Sequence, residues 1–375
     1  MRGKTGEQPE GARRAWSWNK RIFVMLGCLV GLTVVMYFGL SAYVWINGRA
    51  EKEDGISAGA ETDGDDAGDG VADVVSDAIV YSQEELSVQV EDARQQAMKE
   101  VLESIRSGLS QGDSVLETLR PFYPEDMIVY SGGKYHFVPI NRSLKQSSLD
   151  EANLSILDTG EFQYLKDGEV ISHKGIDVSK HQGDIDWSLV AQDGVEYAFI
   201  RVGYRGYGTG KMMEDEFFED NIKEAIANGI KVGVYYYSQA ITEEEVLEEA
   251  AFVLEKIAPY KIECPVVFDV ERVTDAKGGR MNEITVEERT HFASVFCQAI
   301  QNAGYRPMIY HNTEMGIMML DLAALEAYDK WFAAYSDKFY YPYEYKLWQY
   351  SQKGKIQGIT GDVDLNISFA PLWEE

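Results

Sequence analysis

The chain has 375 residues, 62 of them acidic and 35 basic, for a formal net charge of −27. So acidic a surface argues against nucleic acid as a partner, since phosphate binding needs clustered Lys and Arg, but it leaves uncharged sugars open. Three cysteines (Cys28, Cys264, Cys297) without a CxxC, and five scattered histidines, give no disulfide framework, no metal site and no cofactor motif. Cys264 and Cys297 could pair, but two separately buried thiols are the expectation.

Residues 1–21 form a basic tail with six Lys or Arg against two acids, and Ile22–Ile46 then runs 25 residues without a charge. At 1.5 Å per residue that run is long enough for a bilayer core of about 30 Å. Tyr43 and Trp45 sit at its outer end, as interfacial aromatics do. The expectation is a single-pass transmembrane helix in the cell membrane, with the N-terminus cytoplasmic and the remainder outside. A cleaved signal is the competing reading, although no clear small-residue cleavage site follows. Residues 47–80 carry ten acids and two bases among Gly and Ala, an extended disordered linker. Its Gly55-Ile-Ser57-Ala-Gly59 matches GxSxG without the strand and helix that motif needs.

Residues 81–173 read as a helical stalk followed by a small α+β spacer domain. Leu86, Val90, Ala93, Ala97, Val101, Ile105 and Leu109 recur at helical spacing over Ser82–Leu109. A short helix fits Val115–Leu119. A β-like run fits Met127–Val138 around Gly132-Gly133, and a hairpin fits Phe162–Ile171 around Asp167-Gly168. A chain beginning near Ile171 is expected to fold without this spacer.

From Lys174 strands and helices alternate. Candidate strands are Gly175–Ser179, Tyr197–Val202, Lys231–Tyr237, Pro265–Glu271, Arg306–His311, Lys330–Ala334, Lys346–Tyr350 and Val363–Asn366. Helices fit Glu214–Asn228, Thr242–Ala258 and Thr285–Ala303. The fold class is therefore α/β, with residues 174–375 an irregular TIM-like β/α barrel whose active groups gather at strand C-terminal ends. After Arg306 the spacings are too short for regular helices.

The stretch Cys264–Glu271, CPVVFDVE, carries the strongest chemical signal. Asp269 and Glu271 are two apart on a strand, so they share a face, with backbones roughly 6.6 Å apart. Paired carboxyls at the end of a buried strand are costly, and acid/base chemistry is where that cost is tolerated. A strand end whose acids simply reach solvent is the plain alternative. Other groups fall at strand ends too: Asp177, with His181 and Gln182 behind it, in GIDVSKHQG; Tyr235 and Tyr237 in KVGVYYYS; Trp348 and Gln349 in LWQYS; Asp364 and Asn366 in GDVDLN. Aromatic rings stack on sugar C–H faces while acids handle the glycosidic bond. Trp348 is a candidate sugar platform, and plain packing is its alternative. The glycine-rich Gly206–Lys211 breaks both P-loop and GxGxxG spacing.

The ordered set GIDVSKHQG, FIRVGYR, GVYYYS, CPVVFDVE, LWQYS, GDVDLN resembles glycoside hydrolase family 25, the N-acetylmuramidase lysozymes, over about residues 174–370. The resemblance implies an irregular β/α barrel that cleaves the β-1,4 bond after N-acetylmuramic acid in peptidoglycan. It makes Glu271 the general acid and Asp269 the partner that steadies developing charge. Asp177 and Asp364 match the other active-site aspartates, and Tyr235 the sugar-contacting tyrosine. Tyr237, His181, Trp348, Gln349 and Asn366 are expected at the substrate. Many members have His where this chain has Tyr236. The implied function is a membrane-anchored peptidoglycan hydrolase whose partners are glycan strands and the membrane. A catalytically silent glycan-binding or scaffold module is the alternative, and a chitin-like polymer the alternative substrate.

Overall fold

Ser82 and Glu85 form a capping box that starts α1 (Gln83–Gln111), and Gly112 ends it in the left-handed region at φ 93°. A computed structural model describes residues 82–274 and 278–373. The basic tail, the charge-free run 22–46 and the acidic linker lie outside the described residues. Among the described residues no helix is long and apolar enough to cross a membrane. No residue of α1 is buried.

A second capping box, Ser114 with Glu117, opens α2 (Val115–Leu119). Gly132 and Gly133 both take positive φ, 56° and 78°, as a type I′ turn requires. They fold β1 (Asp126–Ser131) onto β2 (Lys134–Pro139). Beyond β3 (Leu154–Ile156), Asp167 and Gly168 turn the same way between β4 (Phe162–Lys166) and β5 (Glu169–Val170). Both hairpins fall where the sequence expects them.

The remaining strands close a barrel. In order around it stand β6 (His173–Val178), β7 (Tyr197–Arg205), β9 (Lys231–Ser238), β10 (Val266–Val270), β11 (Pro307–Asn312), β12 (Asp329–Ala333), β13 (Leu347–Gly354) and β14 (Val363–Ser368). All are parallel except β14, which runs antiparallel between β13 and β6. The short β8 (Met212–Glu214) pairs with β7 outside the closed ring. The helices α3 (Trp187–Gln192), α4 (Phe218–Ala227), α5 (Glu243–Ile257) and α6 (Val286–Asn302) follow the early strands. The irregular barrel stands as expected. The sequence reading missed α3 and began α4 too early, at Glu214, the last residue of β8.

Strand alternation divides the barrel residues into two populations. Tyr197, Phe199, Val267, Met308, Trp331 and Leu347 point inward and fill the barrel, with Leu372 of the C-terminal segment packed among them. A Cβ on Gly175 would stand 2.1 Å from the Tyr197 ring, so this crowded position of β6 admits only glycine. Cys264 and Cys297 are free, buried thiols, as expected. Val266, Phe268 and Val270 point outward into the larger core under the helices.

Residues 82–375 form one compact unit. No regular helix stands between β12 and β13. That wall is covered by an aromatic run, Phe339 to Tyr345, and by residues 114–173 packed over it. Phe162 stacks on Tyr350 at 4.1 Å and meets Trp348 edge-on at 5.4 Å. Tyr164 packs against Phe339 and Phe369, and Ser147 donates its backbone N–H to the Pro342 carbonyl at 2.8 Å. Burial of this kind stabilises by about 25 cal/mol per Å² of apolar surface, so the segment does the work of a missing helix.

Candidate active site

The inward-facing residues of the last strand turns define the site. Asp177 (β6), Arg201 (β7), Tyr235 and Tyr237 (β9), Asp269 (β10), Tyr310 (β11), Trp331 (β12), Gln349 (β13) and Asp364 (β14) line one cleft of about 630 Å³, together with Glu271 just past β10. His181 and Gln182, from the turn after β6, complete its edge. The register fixes the neighbours. Asp269 lies level with Tyr237 on one side and Tyr310 on the other. Asp177 and Asp364 face each other across the antiparallel β6–β14 pair, a placement in which like charges repel.

A buried network holds Asp177. Its Oδ2 accepts from Asn366 Nδ2 at 2.7 Å and from Gln349 Nε2 at 2.8 Å. Asn366 Oδ1 accepts from Trp331 Nε1 at 2.9 Å, while Gln349 Oε1 accepts from the hydroxyls of Tyr310 at 3.0 Å and Tyr335 at 3.1 Å. Both amides are thereby oriented with their NH₂ groups toward the carboxylate. Burial pushes Asp177 up to about 6, against the pull of those two amides. Asp364 is pushed up to about 8 by burial, then by the charges of Asp177 and Glu271.

Asp269 is 7% exposed, and its Oδ1 makes no hydrogen bond among the described residues. Burial, then Glu271 and Asp177, hold it well above the usual carboxylate range, and only Arg201 pulls it back. Glu271 is also raised, chiefly by burial, with the Tyr310 hydroxyl opposing. Two carboxyls so placed cannot both ionise cheaply, so each makes the other hold its proton more tightly. Arg201 is fixed by Asp215, which accepts from its Nε at 2.7 Å. Behind Glu271, Gln239 Nε2 donates to the Glu271 carbonyl at 3.4 Å, and Arg272 donates to Glu314 Oε1 at 2.6 Å. The backbone that carries Glu271 is thus tied on both sides.

The structure brings together Asp177, His181, Tyr235, Tyr237, Asp269, Glu271, Gln349 and Asp364. Two expected contacts fail. Trp348 is 1% exposed, points outward, and donates Nε1 to the Ala334 carbonyl at 2.9 Å. It is a packing residue, because Gln349 faces in and its strand neighbour must face out. Asn366 faces inward but lies below the cleft at 1% exposure, where it serves Asp177. The sequence reading missed Arg201, Tyr310, Trp331 and Tyr335. The same alternation, counted from Asp269 and Tyr235 onto neighbouring strands, was the available signal for the first three. Tyr335 lies beyond β12 and had none.

A closed β/α barrel with paired carboxyl groups and aromatic rings at the C-terminal rim is the architecture of a carbohydrate-cleaving enzyme. Residues 176–359 match the family described as Glycosyl hydrolases family 25. An autolytic lysozyme of Clostridium acetobutylicum is 27% identical over 194 residues, covering 52% of this chain and 55% of the relative. The uncharacterized protein YegX of Escherichia coli K12 is 27% identical over 204 residues, covering 52% of this chain and 68% of its own. The chain thus spans about half the length of the first of these curated relatives. Among solved structures, the modular autolysin LytC of Streptococcus pneumoniae aligns with a TM-score of 0.48 at 23% identity, over 65% of this chain and 56% of that one.

Proposed function

We propose that this chain is a peptidoglycan hydrolase that cleaves the β-1,4 bond between N-acetylmuramic acid and N-acetylglucosamine, held at the cell membrane by residues 22–46 with its barrel outside. The single observation that carries the reading is the convergence of Asp177, Asp269, Glu271 and Asp364 in one aromatic-lined cleft. A glycan binder needs no such set, because each added carboxyl raises the cost of the others.

In this reading Glu271 is the general acid. Its proton, held more tightly than a free glutamate's by burial, passes to the leaving glycosidic oxygen as the C1–O bond breaks. The substrate's own acetamide oxygen attacks C1 from the other face, and Asp269 steadies the positive charge that forms. Glu271, now ionised, takes a proton from the water that reopens the ring, so the enzyme returns to its starting state. Arg201 is the group that keeps Asp269 inclined to ionise. Tyr235 and Tyr237 are placed to stack on or bond the sugars.

The test is digestion of purified cell walls by the full chain, with mass spectrometry of the released fragments. Muramic acid at the new reducing ends is expected. N-acetylglucosamine there, or no release, would overturn the assignment. Protease added outside wall-stripped cells should remove the barrel; protection of the barrel would reverse the orientation.

A further inference from the structure

A second groove of about 740 Å³ opens beside the cleft. The two cavities share Tyr335 and Gln352, so a polymer leaving the cleft past Tyr335 meets the groove next. The walls come from two parts of the chain. The barrel supplies Tyr340, Tyr350 and Lys353, and the preceding segment supplies Arg120 and Phe162. Neither Arg120 nor Phe162 falls in the span 176–359 that matches the family.

The walls are already assembled. Phe162 and Tyr350 stack nearly parallel at 10°, and the Arg120 guanidinium lies 3.6 Å over the Tyr340 ring. A ligand therefore pays little ordering entropy in meeting them. Tyr335 stands at the junction with 53% of its surface exposed, yet its hydroxyl is fixed on Gln349, which in turn bonds Asp177. Its ring is presented to solvent by an anchor inside the active site. The exposed Tyr335 ring, with Lys353 and Gln352 as cationic and amide donors beside the carboxyl groups of Glu117 and Asp337, suits a sugar carrying hydroxyl and acetamide groups.

We propose that this groove is a second glycan-binding stretch, occupied by the strand being cleaved, and that residues 114–162 supply its far wall. The inference rests on the glycoside-hydrolase reading of the cleft. Long strands then fill both cavities, whereas a short oligosaccharide spanning the acid pair fills only the first. Tyr335 connects the two: a sugar on its ring bears on the Gln349–Asp177 bond.

The test compares kcat/KM of the full chain on uncrosslinked glycan strands and on a peptidoglycan tetrasaccharide, for the parent, Lys353→Ala and Arg120→Ala. Each variant should lose roughly fivefold on long strands, the size of one lost polar contact, and stay within about twofold on the tetrasaccharide. Lys353 is an exposed side chain, so its variant keeps the test sound even where Arg120→Ala disturbs packing. Unchanged rates on long strands for Lys353→Ala, or an equal fall on both substrates, would overturn the groove. A parent that cleaves neither substrate would overturn the hydrolase reading itself, and the groove with it.

Discussion

The strand β13 belongs to two regions at once, and the two are opposites. Inward, Gln349 joins a polar layer crowded with carboxyl groups whose charges are held under tension. Outward, Trp348 and Tyr350 lie in an aromatic layer closed by Phe162 from well before the barrel. The inner side carries groups that burial makes unwilling to ionise, and an Asp269 oxygen without a bond. The outer side has large apolar rings in contact and a satisfied indole N–H. The lesson is that the acid chemistry and the packing that supports it are separated here by the pleat of one strand, not by distance along the chain.

The largest effect should come from removing the outer layer. A chain beginning at Ile171 lacks Phe162 and Tyr164 and uncovers Trp348, Tyr350 and Phe369. Losing one buried aromatic costs about 3–5 kcal/mol, and a whole domain has about 5–15. Insoluble or unfolded protein is therefore expected, against the simpler view that the barrel stands alone. A chain beginning at Ser114 drops residues 1–113, whose one described helix, α1, has no buried residue, and should melt where the full chain's barrel does. Circular dichroism melts of the two chains decide it, and a stable, active product from Ile171 would show the outer layer to be dispensable.

Next comes the inner layer. Glu271→Gln should cut turnover on cell walls by about 10²–10⁴-fold, the usual contribution of a general acid, while the melting temperature stays unchanged. A variant that turns over like the parent would remove Glu271 from the chemistry. Trp348→Ala should behave in the opposite way. It should cost about 3–5 kcal/mol of stability in denaturant unfolding with KM close to the parent's. A raised KM at unchanged stability would return Trp348 to the sugar.

The third effect is a matter of pH. Asp364 is held up to about 8 in the folded protein, whereas an unfolded aspartate titrates near 3.9. Between those values the folded protein keeps a proton that the unfolded chain has released, so rising pH favours unfolding across that window. Asp364→Asn has no such proton. Its melting temperature relative to the parent should rise from about pH 4 toward pH 8, in a series of thermal melts. A difference that shrinks over that range would mean the carboxyl is not strained in the fold.

Some of this was fixed by the chain itself. The paired glycines at 132–133 permit the positive φ of a type I′ turn, and the Ser82/Glu85 and Ser114/Glu117 pairs mark helix starts, because those effects act within a few residues. Short valine-rich runs ending in Asp269 and Glu271 identified the strands and put both acids on one face, since the period of two is local as well. What the sequence could not decide was which face of each strand turned inward and what covered the other. Trp348 and Gln349 are neighbours on one strand, so only one of them could face a sugar, and the closed barrel shows that it is Gln349. The reversed direction of β14, which sets Asp364 opposite Asp177, and the aromatic cover drawn from residues 114–173 depend on contacts between distant segments. Their free energy comes from surfaces meeting in space, and no local pattern of residues records where those surfaces meet.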